Sequence, residues 1–456
     1  MTSSTNATVR WTSNLGFILA AAGTAIGLGN VWRFTFIAGE NGGGVFLFVY
    51  LLTVILVGVP IMIAELMAGR LGRGGPAQSV SELIRRHRTS PAWGVIGGLS
   101  VVIPFVGIAY YSIISGWILD YLAHYLALGG VAGGAQAMRQ FDGLMASVAR
   151  IEIWHAVFML LVAFIVGRGV QGGIESTAKI FMPALFLMLI GLVIYAAIFG
   201  DFKRGTEFLF TPDFSKFSVK IVLLAVGQAF FSLAIGVGAL MTFGAYVDDN
   251  ASLPKTAALV ALADTMVAVL AGLAIFPLVF ANGLDVNQGP GLIFITLPTA
   301  FENMQGGQLV GACFFALLFF AALTTGIGTM EPVVAWLVGR GVKRPQAALV
   351  TDVSARALGG VIALSFNVLR DFRPIPAMPF FAEMSLFDVV DFSIASLLLP
   401  LNGLLIVLFV GWALPRSVSA SQIAGAPVIQ GVWRFLVRYV APLAILSVFI
   451  GIITAT

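Results

Sequence analysis

Apolar residues fall in long blocks along the chain, separated by short polar stretches, and each block can cross a hydrocarbon layer of ~30 Å as a helix. The blocks predict eleven spans, near residues 13–37, 44–69, 92–126, 151–168, 172–198, 217–246, 254–281, 307–338, 346–367, 385–413 and 433–454. The alternating segments of a membrane barrel are not visible. The expected fold is an all-α polytopic membrane protein. The loop "GPGLIFITLPTAF" after span seven is apolar but broken by Gly and Pro, which predicts a re-entrant or capping hairpin.

Two blocks are interrupted at their middles. The first contains "TAIGLGNVWRF" at 24–34 and the sixth "LAIGVGALMTF" at 233–243, sharing AIGxG at 25–29 and 234–238. By the span count the two copies enter from opposite sides. Matching glycine-broken segments in two five-span halves of opposite orientation are the pattern of inverted-repeat transporters. The halves would cover about 13–198 and 217–413, with an extra helix at 433–454, in one membrane domain over 1–456.

Composition agrees with the hydropathy. Hydrophobic residues make up 59% of the 456 positions and charged residues 10%, with mean hydropathy +1.00. Soluble domains carry about a quarter charged residues. The net charge of +4 does not point to nucleic acid. "RLGRGG", "RRHR" and "GRGVKRP" sit in short loops on one side of alternating spans, which marks those loops as cytoplasmic. The N-terminus is then inside and the C-terminus outside. Arg139, Lys203, Arg204, Lys216 and Lys220 fall on the outside, so the bias is a majority. Cys313 lies in an apolar run and reads as a packing residue. The polar N-terminus lacks a cleavage signal, so the first span is expected to be retained.

The breaks carry the candidate chemistry. Gly23, Gly27 and Gly29 each cost a helix roughly 0.5–1 kcal/mol relative to Ala. Close helix packing is one reading. Unwinding is the other, favoured by Asn30 and Arg33 at membrane depth and by Gln228, Ser232 and Thr242 around the second copy. Unwound carbonyls suit Na⁺ and unwound amides suit a carboxylate. Other intramembrane polar groups are Asp264, Thr324 and Thr325, with Asp391 opening span ten and Glu65 ending span two. Asp264 reads as functional; the threonines equally as back-bonded helix residues. His87, His124 and His155 lack ligand spacing, and no P-loop, nucleophile elbow or zinc motif appears, so an ion-coupled transporter is expected rather than an enzyme.

"WTSNLGFILAAAGTAIGLGNVWRF", "AGENGGGVFLFVY", "AYYSIISGW", "VGQAFFSLAIGVGA" and "DFSIASLLLPLNG" resemble the neurotransmitter:sodium symporter family, specifically its bacterial amino-acid transporters. The resemblance implies the leucine-transporter-type 5+5 inverted repeat with spans one and six unwound at mid-membrane. It implies a bacterial inner-membrane location, a small amino-acid substrate, Na⁺ at two sites, and a monomer or weak dimer in lipid. The first site would use the Ala25 carbonyl, Asn30, Ser232 and Asp264 with the substrate carboxylate. The second would use carbonyls of Gly23, Ile26 and Ala321 with the hydroxyls of Thr324 and Thr325. Hard oxygen ligands suit such a cation.

By the same resemblance the substrate carboxylate would meet the Gly27–Gly29 amides and Tyr111, and its amine carbonyls near Phe231, Ser232 and Ala234. The side chain would lie among Gly107, Tyr111, Phe231, Ala234, Val237 and Thr329, with Ala25 close by. Monoamine transporters have Asp where this chain has Gly27, so an amino acid is expected. Gly107 and Val237 are smaller than their counterparts in the leucine transporter, which widens the pocket toward aromatic side chains. Chloride-dependent relatives place an anion near Tyr50, Gln228 and Ser232 and have a serine at the Ala268 position; Asp264 is expected to supply the charge instead. Phe231 and Tyr111 would form the lid, and Arg33 with Asp391 the outer ion pair. The family's cytoplasmic Arg and Asp are Thr8 and Gly339 here, leaving Arg10 and Tyr246 as inner-gate candidates. Gly173 and Pro183 match a spacing that the family uses to unwind span five during sodium release; an ordinary proline kink is the alternative. Other readings are a taurine, β-amino-acid or osmolyte symporter, a substrate-gated channel, and a non-transporting receptor.

Overall fold

A computed structural model describes residues 10–130, 134–283, 291–302, 304–423 and 427–455, and all regular structure among them is helical. Thr8 lies outside the described residues, as do Gly289 and Pro290 of the apolar loop. Nine described helices are long and apolar enough to cross a membrane, and a pair bent by 53°, Asn14–Ala25 with Gly29–Glu40, makes a tenth. The expected sixth span is two short helices, Val219–Ser232 and Ala239–Ala245. The longer has 14 residues, so at 1.5 Å per residue neither crosses alone.

The two AIGxG copies break differently. In the first, Ile26 turns extended (φ −72°, ψ 98°), and the Asn30 side chain accepts the freed Gly27 amide at 3.1 Å. In the second, Ala234, Gly236 and Gly238 all take positive φ of 51°, 81° and 86°. Only glycine enters that region at little cost, so the second copy's glycines set the chain path. A Cβ on Gly238 would also strike the Ser100 carbonyl at 2.6 Å.

Two equivalent pairs of spans pack closely: Gly307–Val338 lies along Pro91–Leu128, and Arg344–Phe366 along Val148–Gly167. Arg150 donates twice to Asp120, each at 2.6 Å, tying spans three and four. The described part of the apolar loop, Leu292–Glu302, packs into the bundle rather than crossing it: Phe294 is buried against Trp117, and its carbonyl accepts the Tyr121 hydroxyl at 2.8 Å.

Span five runs unbroken over Val170–Phe199, with a widened turn at Val170–Glu175 and Pro183 inside the helix. Buried Glu175, at the end of that turn, ties span five to the chain before span one by accepting from the Thr12 amide at 2.9 Å, and it also accepts from Lys179 at 2.7 Å.

Candidate functional site

The two breaks face each other, and buried oxygens gather where they meet. Asn30, Ser232 and Asp264 are all buried. The Asn30 amide nitrogen donates to Ser232 Oγ (3.0 Å), the Asp264 carbonyl (2.9 Å) and Asp264 Oδ1 (2.7 Å). Asp264 Oδ2 accepts from Ser232 Oγ at 2.7 Å and from the Tyr50 hydroxyl at 3.1 Å. The Gln228 amide donates to the Gly29 carbonyl at 2.8 Å, adding a tie between the two broken spans. Ala25, the remaining residue expected here, ends the first half-helix and is buried.

A second group forms where span eight meets the first break. The Thr325 hydroxyl reaches the Gly23 and Ile26 carbonyls at 3.4 and 3.3 Å. Thr324 back-bonds to the Phe320 and Ala321 carbonyls at 3.0 and 3.1 Å. A Cβ on Gly23 would lie 3.1 Å from Thr324 Cβ, so glycine permits this approach. The structure thus brings all five expected residues together, Thr324 within its own helix and Thr325 across to span one.

Between the breaks lies a cavity with about 550 Å³ of empty space, part of it open to solvent. Ala25, Gly27, Gly29, Gly107, Tyr111, Phe231, Ala234, Val237 and Thr329 all line it; Ser232, expected beside them, faces Asp264 instead. Ile103, Pro104, Ile394 and Leu399 complete an apolar wall that the sequence reading missed. The Tyr111 hydroxyl is buried without a close hydrogen-bond partner. Gly27 admits no side chain, because a Cβ would lie 2.5 Å from Thr325 Oγ1, whereas at Gly107 the nearest atom, Thr329 Cγ2, is 3.8 Å away.

Tyr111 and Phe231 also line an outer cavity with about 790 Å³ of empty space, part of it open to solvent, so they partition the two spaces. Arg33 and Asp391 line the outer cavity. They attract one another but make no direct ion pair, which departs from the expected closed pair. Arg33 instead sits 4.6 Å over the Phe231 ring, and the Tyr110 hydroxyl is directed at Asp391. The outer cavity is therefore not bridged by this pair.

The opposite side is closed. Tyr246 donates to Glu331 at 2.9 Å, and Arg344 pairs with the same buried carboxylate and donates to the Val166 carbonyl at 2.9 Å. Trp11 donates to the Phe243 carbonyl at 3.2 Å, and Arg10 pairs with Asp248 at 2.8 Å in the exposed layer. Gly339 carries no charge into this region; its carbonyl accepts Gln78 at 3.0 Å. Glu331 and Arg344 were missed in sequence, although an acid inside the eighth apolar block is itself a signal. Glu65 was seen only as the end of span two. Its carboxylate accepts the Gly236 and Gly238 amides at 3.1 and 3.0 Å, and the Asn402 amide donates to the Gly236 carbonyl at 2.7 Å. These two side chains satisfy the backbone that the second break leaves without helical partners.

Comparison with known proteins gives this geometry a context. The Sodium:neurotransmitter symporter family profile matches residues 9–128 and 137–454. The chain is 35% identical over 456 residues to the sodium-dependent transporter YhdH of Bacillus subtilis (strain 168), covering 98% of each chain. It is 30% identical over 466 residues to a sodium-dependent transporter of Haemophilus influenzae, covering 99% of each. The crystal structure of MhsT in complex with L-phenylalanine superposes with TM-score 0.88 at 41% identity, covering 97% of this chain and 99% of that one. The chain therefore belongs to the sodium:neurotransmitter symporter family, with the leucine-transporter-type fold, and is an integral membrane protein performing sodium-coupled symport of a small substrate rather than an enzymatic reaction.

Proposed function

We propose that the chain imports a hydrophobic L-amino acid, aromatic residues included, with sodium and without chloride. The observation that carries this reading is the cavity between the broken spans, apolar along Ile103, Val237, Ile394 and Leu399 and open at Gly107. The phenylalanine bound by MhsT is consistent with it. Taurine or a small osmolyte would leave that wall unfilled.

In this reading the substrate carboxylate meets the span-one amides, the Tyr111 hydroxyl and the first sodium. The Gly27 amide is already donated to Asn30, so Leu28 and Gly29 carry most of that contact. The first sodium takes Ala25, Asn30, Ser232 and Asp264; the second takes Gly23, Ile26, Ala321, Thr324 and Thr325. Asn30 Oδ1, which accepts the Gly27 amide, offers its second lone pair to the first ion. Asp264, held by Tyr50 and Ser232, supplies the negative charge that chloride supplies elsewhere. Each charge moved inward draws about 2.3 kcal/mol per 100 mV of membrane potential.

Transport alternates between an outward-open arrangement and its inverse, with Tyr111 and Phe231 as lid. We further infer a single domain over 1–456 built from repeats at about 13–198 and 217–413, plus the added helix at 433–454. The N-terminus lies in the cytoplasm of a bacterial cell, the C-terminus lies outside, and the working unit is a monomer or weak dimer. Sodium-dependent binding of the purified protein, screened across the amino acids and taurine, tests the reading. Aromatic and large aliphatic L-amino acids should bind only with sodium. Preferential taurine binding, or uptake strongly stimulated by chloride, overturns it.

A further inference from the structure

Three arginines cluster where span ten runs into the last span. Arg416 follows Leu386–Ala413, and Arg434 and Arg438 lie in Pro427–Ile452. They are close enough for Arg438 and Arg416 to act electrostatically on Arg434. None of the three has a carboxylate partner among the described residues, and no Asp or Glu follows Asp391 through Thr456. Elsewhere comparable arginines are answered by acids, as in Arg150 with Asp120 and Arg356 with Asp352.

Neutral contacts hold these guanidiniums without cancelling their charge. Arg434 donates to Ser419 Oγ at 2.9 Å, and Arg438 donates to the Gly411 carbonyl at 2.7 Å while lying 4.6 Å over the Trp412 ring. Trp412, Phe435 and Tyr439 beside them are 50%, 56% and 44% exposed, so apolar rings face outward from the bundle next to the cations. Rings of this kind settle at the level of lipid headgroups, and their neighbouring apolar surface faces acyl chains. Like charges brought together at that depth without an acid are stabilised by an anion from outside the chain.

We propose that Arg416, Arg434 and Arg438 form a binding site for the phosphate of an anionic phospholipid, whose chains lie along Trp412, Phe435 and Tyr439. Basic residues near a membrane surface each add about fivefold to anionic-lipid affinity, so the three together are worth roughly a hundredfold.

Native mass spectrometry of the full chain in detergent, with phosphatidylglycerol or phosphatidylcholine added, tests this. Phosphatidylglycerol adducts should survive collision energies that strip phosphatidylcholine. They should weaken on the order of a hundredfold in the R416Q/R434Q/R438Q variant, provided its thermal unfolding in detergent is unchanged. Equal retention of the two lipids by the wild-type protein overturns the proposal, and needs no variant to fold. So does a folded variant that keeps its phosphatidylglycerol. Inorganic phosphate should not displace the lipid; displacement at millimolar phosphate identifies a site for the free anion and overturns the lipid assignment.

Discussion

Asp264 accepts the Ser232 hydroxyl at 2.7 Å, joining the seventh span to the edge of the second break. Its other oxygen accepts Asn30 from the first break at 2.7 Å, so one carboxylate bridges three spans. A fixed negative charge ~4 Å from a cation is worth about 4 kcal/mol at an effective dielectric near 20. Asp264→Asn keeps the shape and removes the charge. The variant should need at least about tenfold more sodium for half-maximal binding. Adding Ala268→Ser should make binding respond to chloride, read by titrating chloride against gluconate. Unchanged sodium affinity in Asp264→Asn would remove this residue from the proposed first site.

Gly27 is closed to any side chain by Thr325 and Tyr111, whose oxygens would lie 2.5 and 3.3 Å from its Cβ. Gly27→Ala should therefore displace Thr325 from the Gly23 and Ile26 carbonyls. Sodium and substrate affinity should both fall by about 5- to 150-fold, since a contact that close forces a core shift costing ~1–3 kcal/mol. Gly98→Ala, at a position with nothing within 4 Å of the added carbon, should leave both affinities unchanged. Isothermal titration with and without sodium separates the two variants.

Gly107 is the opposite case. Its Cβ position is 3.8 Å from Thr329 Cγ2, so a side chain enters the cavity without a clash at its base. Gly107→Val should narrow the cavity and shift preference from aromatic toward smaller aliphatic amino acids. Each lost methylene of fit is worth about 1–3 kcal/mol, so phenylalanine affinity should fall at least about tenfold while alanine or valine binding holds. Competition against a radiolabelled amino acid measures the ratio. A proportional loss for all side-chain sizes would place Gly107 in backbone packing rather than in selectivity.

The membrane class was legible because hydropathy sums over whole blocks, and small errors in any residue cancel. The breaks were legible because Gly23, Gly27, Gly236 and Gly238 weaken helices wherever they stand. Tertiary partners were harder. Nothing in the sequence pairs Glu65 with the Gly236 and Gly238 amides, since 171 and 173 positions separate them and no spacing rule spans that gap. Ile394 and Leu399 look like ordinary lipid-facing residues until span ten is seen to turn them inward. The different backbones of the two AIGxG copies were also hidden, because Ala234 gives no sign that it will adopt positive φ. Arg33 and Asp391 match a family pair, yet here Arg33 stacks over Phe231 instead of closing on Asp391, and no sequence spacing distinguishes the two placements.

The closed inner side rests on Glu331, which is buried, takes the Tyr246 hydroxyl at 2.9 Å and pairs with Arg344. These groups tie span eight to the second half of span six and to the start of span nine. Removing one partner of a buried pair leaves an uncompensated charge, at a cost of about 3–5 kcal/mol. Arg344→Ala should therefore destabilise the arrangement closed on this side. Sodium-dependent substrate binding should weaken, and distances between spin labels on spans one and six at this face should lengthen. Glu331→Gln combined with Arg344→Ala neutralises both sides and should recover part of the binding lost by Arg344→Ala alone. A double variant as weak as the sum of the two single losses would show that the pair does not act as a unit.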